Sequence, residues 1–123
     1  ESLPELIDLV VIDVSFISLK LILPAVGKWL ATGADVIALI KPQFEAGPEW
    51  VGKGGIVRDP AVRREVLLDV LSWAQANEWM PMGLMQSPIQ GADGNIEYLA
   101  WFQRGKSSQD IVHLVHPLSL GVD

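Results

Sequence analysis

Two apolar runs in the first third of the chain predict buried strands. Leu6–Asp13 and Asp35–Ile40 are almost continuously apolar and rich in β-branched residues, which is typical of parallel strands covered on both faces. Residues 19–31, between them, have a helical composition. Because a helix tolerates proline mainly in its first turn, we expect a turn and then a helix that begins near Pro24 and ends around Thr32–Gly33.

The middle of the chain predicts a long loop followed by a helix. Gln43–Arg58 contains four glycines and a proline and has neither helical nor strand periodicity, and a loop of this length is usually functional or mobile. Asp59 and Pro60 supply an N-cap and a first-turn proline, so a helix should run from there to about Asn77. Its polar face is expected to carry four outward-facing residues: Arg63, Arg64, Asp69 and Gln75.

The last third predicts an antiparallel hairpin and a tail. Pro81–Ile89 and Ile96–Phe102 are apolar segments joined by the turn-rich Gly91–Asn95, a pattern typical of paired antiparallel strands. Residues 1–105 are therefore interpreted as one domain and 106–123 as a terminal tail. The order of elements predicts an α/β fold: a mostly parallel sheet with a terminal antiparallel hairpin and helices on both faces.

Three ionisable residues occupy positions where a buried strand would favour apolar ones. Asp13 and Lys41 directly follow the two predicted parallel strands, and Glu97 interrupts the last one. Right-handed crossovers place the carboxyl ends of both parallel strands at one edge of the sheet, where open α/β sheets bind ligands. Each residue alone also has an ordinary explanation: a partner for a helix terminus, a strand-end lysine in water, or an outward charge on an edge strand. Together they would form a network in which two carboxylates orient an amine.

Composition narrows the classes of protein. The chain has 123 residues, 50% of them hydrophobic, which suits one domain with a real core and excludes a disordered chain. The absence of cysteine excludes disulfides and thiolate metal sites and is compatible with a reducing compartment. No apolar run approaches the about 18 residues that span a bilayer, and residues 1–8 lack the pattern of a secretion signal. We therefore expect a soluble, cytoplasmic protein without a membrane partner.

Four segments resemble motifs of the hemolysin-A-like (TlyA) group of ribosomal RNA 2′-O-methyltransferases, which belongs to the FtsJ-like methyltransferases. They occur in the family order and span most of the chain: DVSFISL at Asp13–Leu19, LIKPQFEAG at Leu39–Gly47, KGGIVRD at Lys53–Asp59 and SPIQGADGNIEYL at Ser87–Leu99. The resemblance implies a Rossmann-like domain, S-adenosylmethionine as the cofactor, ribosomal RNA or a ribosomal subunit as the partner, and methyl transfer to a ribose hydroxyl.

The resemblance also implies roles for individual residues. Asp13, Lys41 and Glu97 match the family's catalytic aspartate, second lysine and glutamate, and Asp13 would lie at the cofactor. Phe16, close to Asp13 in the sequence, could line the cofactor pocket or pack in the core. Lys41 would act either as a general base or as an electrostatic stabiliser, and the sequence leaves both roles open. The family's first lysine and glycine-rich turn have no counterpart in this sequence. We therefore expect the carboxyl-terminal half of the catalytic domain, inactive in isolation.

The remaining candidates concern RNA and metal. Lys53 and Arg58 could contact RNA phosphates, or belong to a solvated loop. Of the five tryptophans, only Trp50 is expected to be free to stack on a base. His113 and His116 have a spacing compatible with a metal, but without a third ligand nearby no metal site is predicted.

Two other functions stay open at this point. The chain could be a non-catalytic remnant that associates with itself, as a homo-oligomer, or with another subunit through exposed strand edges. The name hemolysin borne by relatives would suggest a membrane-active protein, which the absence of a spanning segment and of a basic amphipathic helix disfavours.

Overall fold

The structure is a computed structural model that describes residues 6–13, 18–52, 54–105 and 110–118. These residues form four strands and four helices, with short 3₁₀ turns at Pro48–Trp50 and Ala92–Gly94. In chain order the elements are β1 (Ile7–Ile12), α1 (Leu19–Gly27), β2 (Leu30–Ile40), α2 (Pro42–Glu45), α3 (Pro60–Ala76), β3 (Trp79–Gln86), β4 (Tyr98–Arg104) and α4 (Val112–Val115).

The four described strands form one open sheet in the order β1-β2-β4-β3. β1 pairs with β2 in parallel, whereas β4 pairs antiparallel with both β2 and β3. Three of the strands therefore run in one direction, and β4 runs against them. This confirms the predicted α/β fold with a mostly parallel set of strands and a terminal antiparallel pair.

One face of the sheet carries the core. Alternate residues of β2 and β4 are fully buried on it and face each other in register, as Val36 with Phe102, Ala38 with Ala100 and Ile40 with Tyr98. α1 and α3 contact each other and add buried aliphatic side chains to the same core, among them Leu19, Leu23, Val66, Leu67 and Leu71. Burial of this apolar surface is the main stabilising contribution to the fold.

The opposite face of the sheet remains largely apolar and exposed. Leu9, Val11, Met85 and Trp101 lie on it and are all exposed. The described helices pack together on the core face. For the described residues, the expectation of helices on both faces is therefore wrong.

α1 differs from its prediction at both ends. It begins at Leu19, where the Ser18 hydroxyl accepts a hydrogen bond from the Lys20 N–H at 3.1 Å. Pro24 lies inside the helix on its exposed side, and the helix already ends at Gly27. Tertiary burial of one face of the helix outweighs the local cost of an internal proline. The predicted end at Thr32–Gly33 is also wrong, because those residues belong to β2.

The structure corrects the predicted loop, which contains short helical turns, and the predicted orientation of one residue in the helix that follows. The segment 43–58 contains most of α2 and a 3₁₀ turn. α3 has the predicted start, since the Asp59 carboxylate accepts a hydrogen bond from the Ala61 N–H at 2.9 Å. Arg63, expected to face outward, is buried, and its guanidinium donates to the Val57 carbonyl at 3.0 Å. The loop folds back over the first turn of α3 and supplies an acceptor that helical periodicity does not reveal.

Asn95 joins that loop to the segment between β3 and β4. Its buried side chain accepts a hydrogen bond from the Val57 N–H and donates one to the Gly55 carbonyl, each at 3.0 Å. Its own carbonyl accepts from the Gly91 N–H at 2.7 Å. One amide side chain thus connects two irregular segments that have no sheet hydrogen bonds between them.

Glu45 joins α2 to the start of α1. Its carboxylate accepts hydrogen bonds from the Ser18 hydroxyl at 2.7 Å and from the Leu19 N–H at 2.9 Å. Burial raises the pKa of Glu45 above its ordinary value of 4.5, although these two hydrogen bonds oppose the shift. Protonation of this side chain is therefore more favourable in the folded protein than in the unfolded chain.

Replacing Asn95 with alanine should loosen the loop around Val57. The buried Val57 N–H would lose its acceptor, which costs about 1–3 kcal/mol. Hydrogen–deuterium exchange of that amide should accelerate roughly tenfold or more in the full-length protein. Asn77→Ala is the matched control, since within the described ranges the exposed Asn77 side chain bonds only to the Trp73 carbonyl of the preceding helix. Equal exchange at Val57 in both variants would contradict the assignment of the Asn95 side chain as the acceptor of the Val57 N–H.

Glu45→Gln should change the pH dependence of the start of α1. Because the folded pKa is raised, the contribution of Glu45 to stability is fully present below pH 4.5 and is lost as the pH rises through the folded pKa. Protection of the Leu19 amide in the wild type, relative to the variant, should therefore be greater at pH 4.5 than at pH 7. Comparing variants at one pH cancels the intrinsic exchange rate. Glu49→Gln, at an exposed position, serves as the control. If the protection of the Leu19 amide in the wild type relative to Glu45→Gln falls on acidification, the prediction is refuted.

Candidate functional site

A cavity of about 410 Å³ opens at the carboxyl ends of β1 and β2, and we call it the rim cavity. Its wall contains all three ionisable residues singled out from the sequence and part of the segment between β3 and β4. The lining residues are Asp13, Leu39, Lys41, Ser87, Ile89, Gln90, Gly91, Glu97 and Leu99. The structure therefore brings together ionisable residues that are up to 84 positions apart, from Asp13 to Glu97.

Lys41 and Asp13 form an ion pair at the rim cavity. The parallel register pairs Ile12 with Ala38, so both strands end at the same edge of the sheet, with β2 extending two residues further than β1. Lys41 Nζ is 2.8 Å from Asp13 Oδ1; the lysine side chain is 14% exposed and the aspartate side chain is 59% exposed. A charge-assisted hydrogen bond of this length fixes the direction of an otherwise flexible amine.

Glu97 lies directly before β4 and is only 5% exposed. Its Oε2 accepts a hydrogen bond from Gln43 Nε2 at 2.8 Å. Gly91 passes so close that a Cβ atom there would lie 1.8 Å from the same oxygen. β4 is moreover an interior strand of the sheet. The ordinary explanation of Glu97 as an outward charge on an edge strand is therefore wrong.

The segment Lys41–Glu45 reaches three other parts of the fold. Lys41 contacts Asp13 after β1, Gln43 contacts Glu97 before β4, and Glu45 contacts the start of α1. Sequence reasoning used only the lysine of this segment. The sequence did contain a signal: directly after a buried strand, the polar residues Lys41, Gln43 and Glu45 occupy alternate positions.

Other predicted residues lie elsewhere. Phe16 and Lys53 fall outside the described residues. Arg58 is exposed and is not part of the wall of the rim cavity. Trp50 is exposed, as expected, but Trp29 and Trp101 are exposed as well, so the expectation that only Trp50 is free was wrong.

The described part of the chain shows neither a metal cluster nor a membrane helix. His113 Nε2 lies 3.7 Å from Asp110 Oδ2, at the surface. Over the described ranges, no three His, Asp or Glu side chains are grouped as a metal ion would require. None of the described helices has the length and apolar character needed to cross a bilayer.

Comparison with known proteins identifies the family. The model of the FtsJ-like methyltransferase family matches residues 1–104. "Putative rRNA methyltransferase YqxC" of Bacillus subtilis is 52% identical over 103 residues, which is 81% of this chain and 37% of that protein. The 16S/23S rRNA (cytidine-2′-O)-methyltransferase TlyA of Mycobacterium tuberculosis is 42% identical over 89% of this chain and 42% of its own length.

A solved structure agrees with the sequence matches. The chain described as "Putative hemolysin from Streptococcus thermophilus" superposes with a TM-score of 0.83 at 46% identity, covering 92% of this chain and 42% of that one. Our chain thus spans about two-fifths of the length of these relatives. The resemblance found in the four motifs is confirmed: the chain belongs to the FtsJ-like methyltransferase family.

Proposed function

We propose that the protein transfers a methyl group from S-adenosylmethionine to a ribose 2′-hydroxyl of ribosomal RNA, and that this chain supplies part of the catalytic site. The observation that carries the proposal is the Lys41–Asp13 ion pair in the same cavity wall as the buried Glu97. Family membership and the names of the relatives support the reaction and the RNA substrate. Because the chain spans only part of those relatives, the activity is proposed for the whole protein, which an rRNA substrate would place in the cytoplasm.

Lys41 is the proposed catalytic residue that acts on the hydroxyl. A ribose hydroxyl is barely ionised at neutral pH, so the reaction requires negative charge to be stabilised as the oxygen attacks. An ammonium carries three N–H donors. Lys41 can therefore keep its hydrogen bond to Asp13 while another N–H contacts the ribose oxygen. This geometry favours the role of electrostatic stabiliser over that of general base.

The rim cavity fits a cationic nucleoside ligand such as S-adenosylmethionine. When bound, this cofactor supplies a methyl group activated by a positively charged sulfonium. Asp13 and Glu97 place two carboxylates in the wall, which suits a cation. Asp13 is proposed to hold the cofactor in addition to orienting Lys41, and Phe16 stays a predicted cofactor contact.

The chain is proposed to contact RNA through individual side chains and not through its overall charge. The chain carries 9 basic and 15 acidic residues, so this segment does not attract phosphates through its net charge. Arg58 remains a proposed phosphate contact, as does Lys53, which lies outside the described residues, and the exposed Trp50 indole is the proposed stacking surface for a base.

A self-associating, non-catalytic module is the second candidate. The exposed apolar face of the sheet, which includes Val11, Met85 and Trp101, favours this candidate because such a surface normally marks an interaction site. This candidate gives no role to the buried Glu97 or to the ion pair at the rim cavity. Substitution of Lys41 separates the two candidates.

Lys41→Ala in the full-length protein should lower methylation of ribosomal RNA by about 10²–10⁴-fold, because the developing charge loses its stabilising group. Binding of S-adenosylmethionine, measured by calorimetry, should change only a few-fold. Mass mapping of methylated ribose in ribosomal RNA provides the readout of activity.

Lys28→Ala is the matched control, since Lys28 is an exposed lysine at the carboxyl end of α1. It should leave both methylation and cofactor binding unchanged. Near-normal turnover of Lys41→Ala would remove this lysine from the reaction and favour the non-catalytic candidate.

A further inference from the structure

Gln43 is a buried amide that neither the family resemblance nor the proposed mechanism uses. It lies in α2, is only 8% exposed, and donates from Nε2 to Glu97 Oε2 at 2.8 Å. The acceptor is itself only 5% exposed. Solvent therefore has little part in holding this carboxylate, and the direction of the carboxylate depends on its protein contacts.

Gly91 limits the same carboxylate from a second side. A Cβ atom at this position would lie 1.8 Å from Oε2, 2.3 Å from Cδ and 2.9 Å from Oε1 of Glu97. Any side chain at position 91 would thus occupy the space of the carboxylate. Between the amide of Gln43 and the backbone of Gly91, Glu97 has a restricted set of orientations.

The Gln43 amide donor is matched to the Glu97 carboxylate as an acceptor. An ionised carboxylate only accepts hydrogen bonds, and the Nε2 group of glutamine only donates them. The other charged groups in the wall of the rim cavity are Lys41, at the end of β2, and Asp13, at the end of β1. The N–H of Gln43 therefore gives the Glu97 carboxylate a fixed direction relative to these two groups.

We propose that Gln43 is a positioning residue, which acts through Glu97 by holding its carboxylate in one orientation in the wall of the rim cavity, and that the missing side chain of Gly91 makes room for this orientation. The inference rests on the proposed methyl transfer. Gln43 itself is given no contact with the reacting atoms.

Gln43→Met tests the proposal in the full-length enzyme, because methionine keeps the approximate shape but has no N–H donor. We expect kcat for RNA methylation to fall about tenfold or more, in the range typical of a lost electrostatic contact, while KM for S-adenosylmethionine stays within about twofold. Gln103→Met is the matched control. It removes a glutamine–carboxylate hydrogen bond of the same 2.8 Å length, to Asp35, on the exposed face of the sheet, and should leave kcat unchanged.

A double-mutant cycle with Glu97→Gln separates positioning from a general structural role. If Gln43 acts through Glu97, Gln43→Met should lower kcat by less than about twofold once Glu97 has already been replaced. Losses that multiply in the double variant, or a wild-type kcat in Gln43→Met, would overturn the inference.

Gly91→Ala provides an independent test, including the case in which Gln43→Met does not fold. It should lower kcat by displacing the Glu97 carboxylate, whereas Gly83→Ala, where the nearest atom to a new Cβ is 3.5 Å away on Trp101, should not. Normal turnover of Gly91→Ala would count against the inference alone. Normal turnover of both Lys41→Ala and Glu97→Gln would instead refute the proposed function.

Discussion

The parallel pairing of β1 with β2 is the constraint on which the candidate site depends. It makes the two strands run in the same direction, so that both end at the same edge of the sheet and the side chains that follow them meet, with Lys41 Nζ 2.8 Å from Asp13 Oδ1. An antiparallel arrangement of the same two strands would put these residues at opposite edges of the sheet. The site therefore depends first on the direction of the two strands and then on the identity of the side chains that follow them.

The short segment that follows β2 extends this constraint to the rest of the fold. Within Lys41–Glu45, successive polar side chains bind the end of β1, the residue before β4 and the start of α1. A single helical turn thus connects most of the elements around the rim cavity. Because its contacts are hydrogen bonds to charged or buried partners, they have the directionality that apolar packing alone lacks.

The sequence predicted those features whose causes are local or topological. β1, β2 and the start of α3 follow from apolar runs and a capping residue, and the meeting of Asp13 with Lys41 follows from the rule for parallel strands. The start of α1 was mispredicted because burial of the apolar face of the helix outweighs the preference of Pro24 for the first turn. The acceptor of Arg63 belongs to an irregular loop, and the partner of Gln43 is 54 residues away. No periodic pattern encodes either contact.

The position of β4 in the sheet has a consequence for synthesis of the protein. β4 is the last of the described strands along the chain, yet it lies between β2 and β3. Until the ribosome has released residues 98–104, β2 has one unpaired edge and β3 has no neighbour in the sheet. During this interval the nascent chain exposes unpaired N–H and C=O groups that can join other polypeptides. A premature stop codon before residue 98 would leave the sheet in two disconnected pieces.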